Sequence, residues 1–127
     1  MVSLNSVSVL TVDDSRTMRA VLRDMLMRLG VRSIEEAASG EEALALIRAK
    51  SFSLVISDIN LEPVDGLELL RRVRALSRPG QNRLIFMTTE RSWSVQTSAR
   101  LEGAEAFITK PFTIEALKTK IDQVLQR

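Results

Sequence analysis

The stretch from Phe52 to Leu76 limits most tightly what this chain can fold into. Phe52, Leu54, Val55 and Ile56 form a short, nearly unbroken apolar run, the pattern of a strand buried on both faces in a parallel sheet. The run ends at Asp58. Asp65 then stands ready to cap a helix, Glu68 three residues on completes a capping box, and Leu67, Leu70 and Val73 recur at helical spacing. Open α/β sheets bind ligands outside the carboxyl ends of their strands. The spacing therefore predicts function beside Asp58.

The rest of the chain repeats this alternation. Val7 to Val12 reads as a first strand, followed directly by Asp13 and Asp14. Ser15 caps a helix whose apolar positions, Met18, Val21, Leu22, Met25, Leu26 and Leu29, define a core-facing stripe with Gly30 as its stop. Ser33 to Ala37 is a weaker strand near a sheet edge. Ser39 and Glu42 form a second capping box before a short helix carrying Ala43, Leu44, Leu46 and Ile47. Arg78 to Asn82 is a turn around Pro79 and Gly80, and Leu84 to Met87 is a continuous apolar strand ending in Thr88 and Thr89. Ser92 to Glu102 predicts a helix with a poor stripe of Val95, Ala99 and Leu101, the least firmly packed element. Ala106 to Ile108 is the last strand, Lys110 and Pro111 follow, and Thr113 caps a closing helix with Ile114, Leu117, Ile121 and Val124 on one face. Five strands alternating with five helices predict an α/β domain with a doubly wound parallel sheet, filling residues 1–127 as one unit.

Composition removes several function classes. The 127 residues contain no cysteine and no histidine, which rules out disulfides, zinc sites on those ligands, cysteine nucleophiles and imidazole acid/base chemistry. No apolar stretch approaches the roughly 18 residues of a membrane span, and MVSLNSVSV has no signal-peptide pattern, so the expectation is a cytoplasmic protein with no membrane partner. The pI of about 9.5 suggests nucleic acid, but the net charge is only +2. The cluster Arg71, Arg72 and Arg74 comes with no helix-turn-helix or aromatic-interleaved basic motif. It reads as a solvated helix face, with no direct nucleic-acid partner.

Four strand ends carry polar residues that an apolar strand does not need: Asp13 and Asp14, Asp58, Thr88, and Lys110. Right-handed crossovers bring those ends to one rim of the sheet. Three carboxylates in one crevice repel, and a hard divalent cation relieves the repulsion. Mg²⁺ suits one or two carboxylates plus waters and a phosphoryl oxygen. Thr88 offers a hydroxyl donor and Lys110 a point charge for phosphoryl oxygens. The expectation is a phosphoryl-transfer site with Asp58 as the attacking carboxylate, giving an acyl phosphate.

These motifs resemble those of the bacterial response-regulator receiver domain, particularly its single-domain CheY chemotaxis type. The likeness runs through VDDSRTMR, ISDINLEPVDGLELL, the Thr88 strand end and FITKPFT. It implies a flavodoxin-like sheet of order 2-1-3-4-5. Asp13 and Asp14 match the metal-binding acid pair, Asp58 the phosphoacceptor, and Asn60 the residue whose backbone carbonyl meets the metal. Thr88 matches the switch hydroxyl, Lys110 the phosphate-contacting lysine, and Phe107 the switch aromatic. A cis Lys110–Pro111 bond is also implied. The implied function is that of a phosphorelay module and not a classical enzyme. A histidine kinase or phosphotransfer protein donates to Asp58, and a target binds the face formed by the fourth helix, last strand and last helix. Thr88 would move inward, Phe107 would fill the space, and Trp93 would lie at the start of the shifting region.

This chain departs from the family pattern at Glu62, where proline is usual and the proline is instead Pro63. It departs again at Thr89, where a smaller residue is common, and at Phe107, which lacks the hydroxyl of the usual tyrosine. Asn60 and Glu90 occupy positions that tune self-dephosphorylation. Two other readings fit the residues. One is a docking or dimerisation module independent of phosphorylation. The other is a Mg²⁺-dependent aspartyl-phosphate hydrolase, disfavoured because Ser15 and Asn60 stand where a second aspartate would be needed.

Overall fold

The computed structural model describes residues 3–61, 64–89 and 93–126. The strands are β1 (Ser8–Val12), β2 (Ser33–Ala37), β3 (Leu54–Asp58), β4 (Arg83–Thr88) and β5 (Ala106–Thr109). The α-helices are α1 (Arg16–Arg28), α2 (Gly40–Ala49), α3 (Gly66–Ala75), α4 (Trp93–Leu101) and α5 (Ile114–Leu125). A single 3₁₀ turn, Leu4–Ser6, precedes β1. The strands pair in parallel in the order β2-β1-β3-β4-β5, the doubly wound sheet expected from the alternation of elements. Glu62, Pro63, Glu90 and Ser92 lie outside the described residues, as do the side chains of Trp93 and Val95.

Successive strand residues face opposite layers, and the apolar runs fill both. Leu10, Val12, Val55, Leu84 and Phe86 pack on the side of α2, α3 and α4. Val9, Leu54, Ile56, Ile85, Met87 and Ile108 pack against α1 and α5. The helices start where their caps predict. Ser15 Oγ accepts from Met18 N–H at 3.1 Å, Ser39 Oγ from Glu42 N–H at 3.1 Å, Asp65 Oδ1 from Glu68 N–H at 2.9 Å, and Thr113 Oγ1 from Ala116 N–H at 3.1 Å. The expected capping box at Asp65 forms only its first half. The Glu68 carboxylate turns outward to Arg72, where a charge-assisted bond is available on the same helix face.

Two expected core positions lie outside the core. Val21 is 40% exposed and Leu101 is 83% exposed, because α1 buries Leu22 and Leu26 squarely and α4 is anchored by Ala99. In α3, Leu69 is buried with Leu70 and Val73, while Leu67 is only partly so. The arginines of α3, expected as a solvated helix face, are each paired with an acid: Arg71 with Glu102, Arg72 with Glu68 and Arg74 with Glu105. The turn before β4 is a structural staple. Buried Asn82, at φ 53°, accepts from Phe52 N–H at 2.8 Å through its side chain and donates its own N–H to Phe52 O. At the same end of the sheet Arg78 donates to Ile47 O and Arg48 O at the last turn of α2, and Arg83 donates to Val124 O at that of α5. Each supplies positive charge where a helix leaves carbonyls unpaired.

Candidate functional site

Strand register assembles the opposite rim. Val12 pairs with both Ala37 and Ser57, so Asp13, one step beyond, emerges beside Asp58. Asp58 pairs with Met87, and Thr88 with Thr109, so Thr88 and Lys110 stand at the neighbouring strand ends. Residues separated by up to 97 positions meet: Lys110 Nζ donates to Asp58 Oδ2 at 3.1 Å and to Asp13 Oδ2 at 3.3 Å. Asp13, Asp14 and Asp58 present carboxylate oxygens all within 4.8 Å of one another. The Lys110–Pro111 peptide is cis, as the resemblance implies, and Lys110 N–H is held by Thr88 O at 2.8 Å.

The two central acids are fixed by backbone donors. Asp13 Oδ1 accepts from Ser15 N–H and Asp58 Oδ1 from Asn60 N–H, each at 2.9 Å. Both bonds span two residues, the local turn by which an aspartate braces its own loop. Ser57 Oγ donates to Asp58 O. The loop after Asp58 is pulled tight at Gly66, whose N–H donates to Ile59 O at 3.0 Å. A Cβ at Gly66 would lie 2.7 Å from that oxygen, so a side chain there would push the loop bearing Asn60 outward.

Burial and charge work against each other here. Asp13 is 1% exposed. Burial first, with the charge of Asp58 adding to it, raises its carboxyl above the usual aspartate value despite the Ser15 amide and the Lys110 ammonium. Burial alone would lower Lys110, but the hydrogen bond and charge of Asp58, then those of Asp13, outweigh it and raise the ammonium above its ordinary value. A fixed cation therefore holds two acids that would otherwise repel. The donor set is all oxygen, crowded and short of positive charge, which is the chemistry of a hard divalent cation and fits Mg²⁺. Asp13, Asp14 and Asp58 are the residues that could hold it.

Thr88 is buried at the end of β4, and Asn60 is exposed beside Asp58. Phe107 is half-buried on β5, its ring 6.1 Å from Phe86 and capped by the Arg100 guanidinium at 5.3 Å. Thr89 is exposed and lines an apolar groove of about 250 Å³ with Met18, Val21, Met25, Pro111 and Phe112, with Lys110 at its edge. Residue type alone concealed Arg19. Its guanidinium donates to Asp13 O at 2.6 Å, and the available signal was its place in the first turns of α1, where side chains lean back toward the preceding strand.

Comparison with known proteins agrees with this geometry. Residues 9–122 match the response regulator receiver domain family. The chain is 33% identical over 119 residues to the chemotaxis protein CheY of Pseudomonas aeruginosa, covering 94% of this chain and 96% of that protein. It superposes on the crystal structure of Vibrio cholerae CheY4 with a TM-score of 0.86 at 34% identity, covering 94% and 98% of the two chains. It superposes equally well, at 0.86 and 25% identity, on a chain from the CheX–CheY–BeF₃–Mg²⁺ complex of Borrelia burgdorferi, covering 93% and 88%. No helix among the described residues is long and apolar enough to cross a membrane. The chain belongs to the response regulator receiver domain family and is similar to the CheY proteins of that family.

Proposed function

We propose that this chain is a Mg²⁺-dependent phosphoacceptor whose Asp58 takes a phosphoryl group from a phosphohistidine and whose modified form changes a protein-binding face. The observation that carries this reading is the Lys110 ammonium lying between Asp58 and Asp13, with the oxygens of Asp14 completing the acidic cluster. Asp13, Asp14, Asp58 and the backbone carbonyl of Asn60 would hold the cation, which when bound neutralises charge on the incoming phosphoryl oxygens. One Asp58 oxygen attacks phosphorus in line while the P–N bond to the donor imidazole breaks; that ring, already protonated on its other nitrogen, keeps the P–N electron pair and departs as neutral imidazole. Lys110, held at 3.1 Å from Asp58, then contacts a phosphoryl oxygen, and Thr88 supplies a hydroxyl donor. These 127 residues contain no histidine, so the phosphohistidine lies outside them.

The apolar groove walled by Met18, Val21, Met25, Pro111 and Phe112, which Lys110 also lines, supports a docking place for that donor. Phe107, between Phe86 and Arg100, supports an output on the face of α4, β5 and α5. Phosphorylation adds charge and acceptor oxygens that draw Thr88 inward, and the vacated space admits the Phe107 ring. The presence of beryllofluoride and Mg²⁺ in the Borrelia complex makes those ligands natural probes. Acetyl phosphate with Mg²⁺ should label the wild type and leave Asp58→Asn unlabelled. Equal labelling of both would remove Asp58 from the mechanism.

A further inference from the structure

Every polar atom of Asp13 has a hydrogen-bond partner. Its N–H donates to Ala37 O at 3.1 Å, and its Oδ1 accepts from Ser15 N–H. Its Oδ2 meets Lys110, and its carbonyl accepts from Arg19 Nη1 at 2.6 Å. The same guanidinium donates from Nε to Glu36 Oε1 at 3.2 Å, and Glu36 Oε2 accepts from Arg23 Nε at 2.7 Å. Glu36 is joined covalently to Ala37, which receives the Asp13 amide. The contacts therefore close a ring: Asp13 to Ala37, through the chain to Glu36, across to Arg19 and back to Asp13. Arg19 is largely enclosed, its side chain 15% exposed, and Arg23 ties the outer side of the ring to Ile34 O. Glu36 is held below the usual carboxyl range, chiefly by its bond to Arg23.

We infer that Arg19, oriented by Glu36, is a positioning residue that fixes the turn after β1 so that Asp13 meets the divalent cation without reorganisation. The inference rests on the reading of the acidic cluster as a Mg²⁺ site. A planar guanidinium can span a carbonyl and a carboxylate at once, which an ammonium on a flexible stem cannot do equally well. With the ring closed, the N–H and the carbonyl of Asp13 are both hydrogen-bonded. With it open, the turn must be ordered when the cation binds. Partners of this kind, one shell removed from a metal, typically alter affinity by about 10–100-fold.

Charge and position give opposite signs, which makes the inference testable. Arg19 is a cation near the cluster, so if it acted only through charge, its neutralisation would tighten Mg²⁺ binding. If it positions Asp13, neutralisation weakens binding. Mg²⁺ affinity is to be measured by calorimetry on the full chain at constant ionic strength, alongside thermal melts, for the wild type, Arg19→Gln, Arg19→Lys and Glu36→Gln. The expected result is Arg19→Gln at least about tenfold weaker, Arg19→Lys intermediate despite its retained charge, and Glu36→Gln weaker than the wild type. Arg19→Gln binding Mg²⁺ as tightly as the wild type, or more tightly, overturns the inference while leaving the Mg²⁺ site intact. A wild type that binds no Mg²⁺ overturns the proposed function and this inference together. If Arg19→Gln does not fold, Arg19→Lys and Glu36→Gln decide, and wild-type affinity in both overturns it.

Discussion

Replacing Asp13 by asparagine should reverse the order of stability between two conditions. In the cation-free protein the Asp13 carboxyl is raised above its ordinary value of 3.8, mainly by burial. The folded chain therefore holds this proton more tightly than the unfolded chain does, and ionised Asp13 costs stability. That cost sets in as pH rises from 3.8 and grows through the raised value. Because the Ser15 amide and Lys110 offset only part of the burial, Asp13→Asn should be more stable than the wild type at pH 7 without the cation. The asparagine oxygen can keep the Ser15 bond, and Lys110 keeps Asp58 at 3.1 Å. The variant should therefore melt above the wild type in chelator. In saturating Mg²⁺ the wild type gains about 2.7 kcal/mol at a hundredfold excess over Kd, and the variant gains little. Melts at pH 7 with chelator and with Mg²⁺ should therefore cross, and the variant's advantage in chelator should shrink as pH falls toward 3.8. A variant less stable than the wild type in chelator would refute the burial argument. An unchanged Mg²⁺ response would refute the role of Asp13 as a ligand.

Other changes separate the parts of the site. Val21→Asp, at a 40% exposed groove position, should change stability by no more than about 0.5 kcal/mol and leave acetyl phosphate labelling intact. It should slow transfer from a phosphorylated donor protein, as read by loss of radiolabel from that donor. Gly66→Ala forces a Cβ to within 2.7 Å of Ile59 O, and urea unfolding should show a loss of about 1–3 kcal/mol. Leu22→Ala, fully buried one position from Val21, should cost about 2–5 kcal/mol in the same assay.

Much of this architecture was legible because its signals are local. The four helix caps at Ser15, Ser39, Asp65 and Thr113 are decided by one oxygen and one nearby amide, and the buried strands by short apolar runs. The rim was legible for a different reason. Asp13, Asp58, Thr88 and Lys110 each end a strand, and a parallel sheet puts all strand ends of one sense together. What the residues concealed depends on tertiary partners. Val21 keeps the helical spacing of its stripe yet lies at the stripe's edge, and Leu101 extends past the anchor at Ala99. Asn82 reads as a turn residue, but its side chain braces Phe52 thirty positions away. Arg19 looks like any helix arginine until the ends of β1 and β2 are seen on either side of it.

Borohydride reduction tests the central claim most directly, since it converts a phosphorylated aspartate to homoserine at the residue that carried the phosphoryl group. After acetyl phosphate and Mg²⁺ treatment, peptide mapping should find homoserine at position 58, with positions 13 and 14 still aspartate. Homoserine at either of those two, or labelled protein with none at 58, would contradict the assignment of the acceptor.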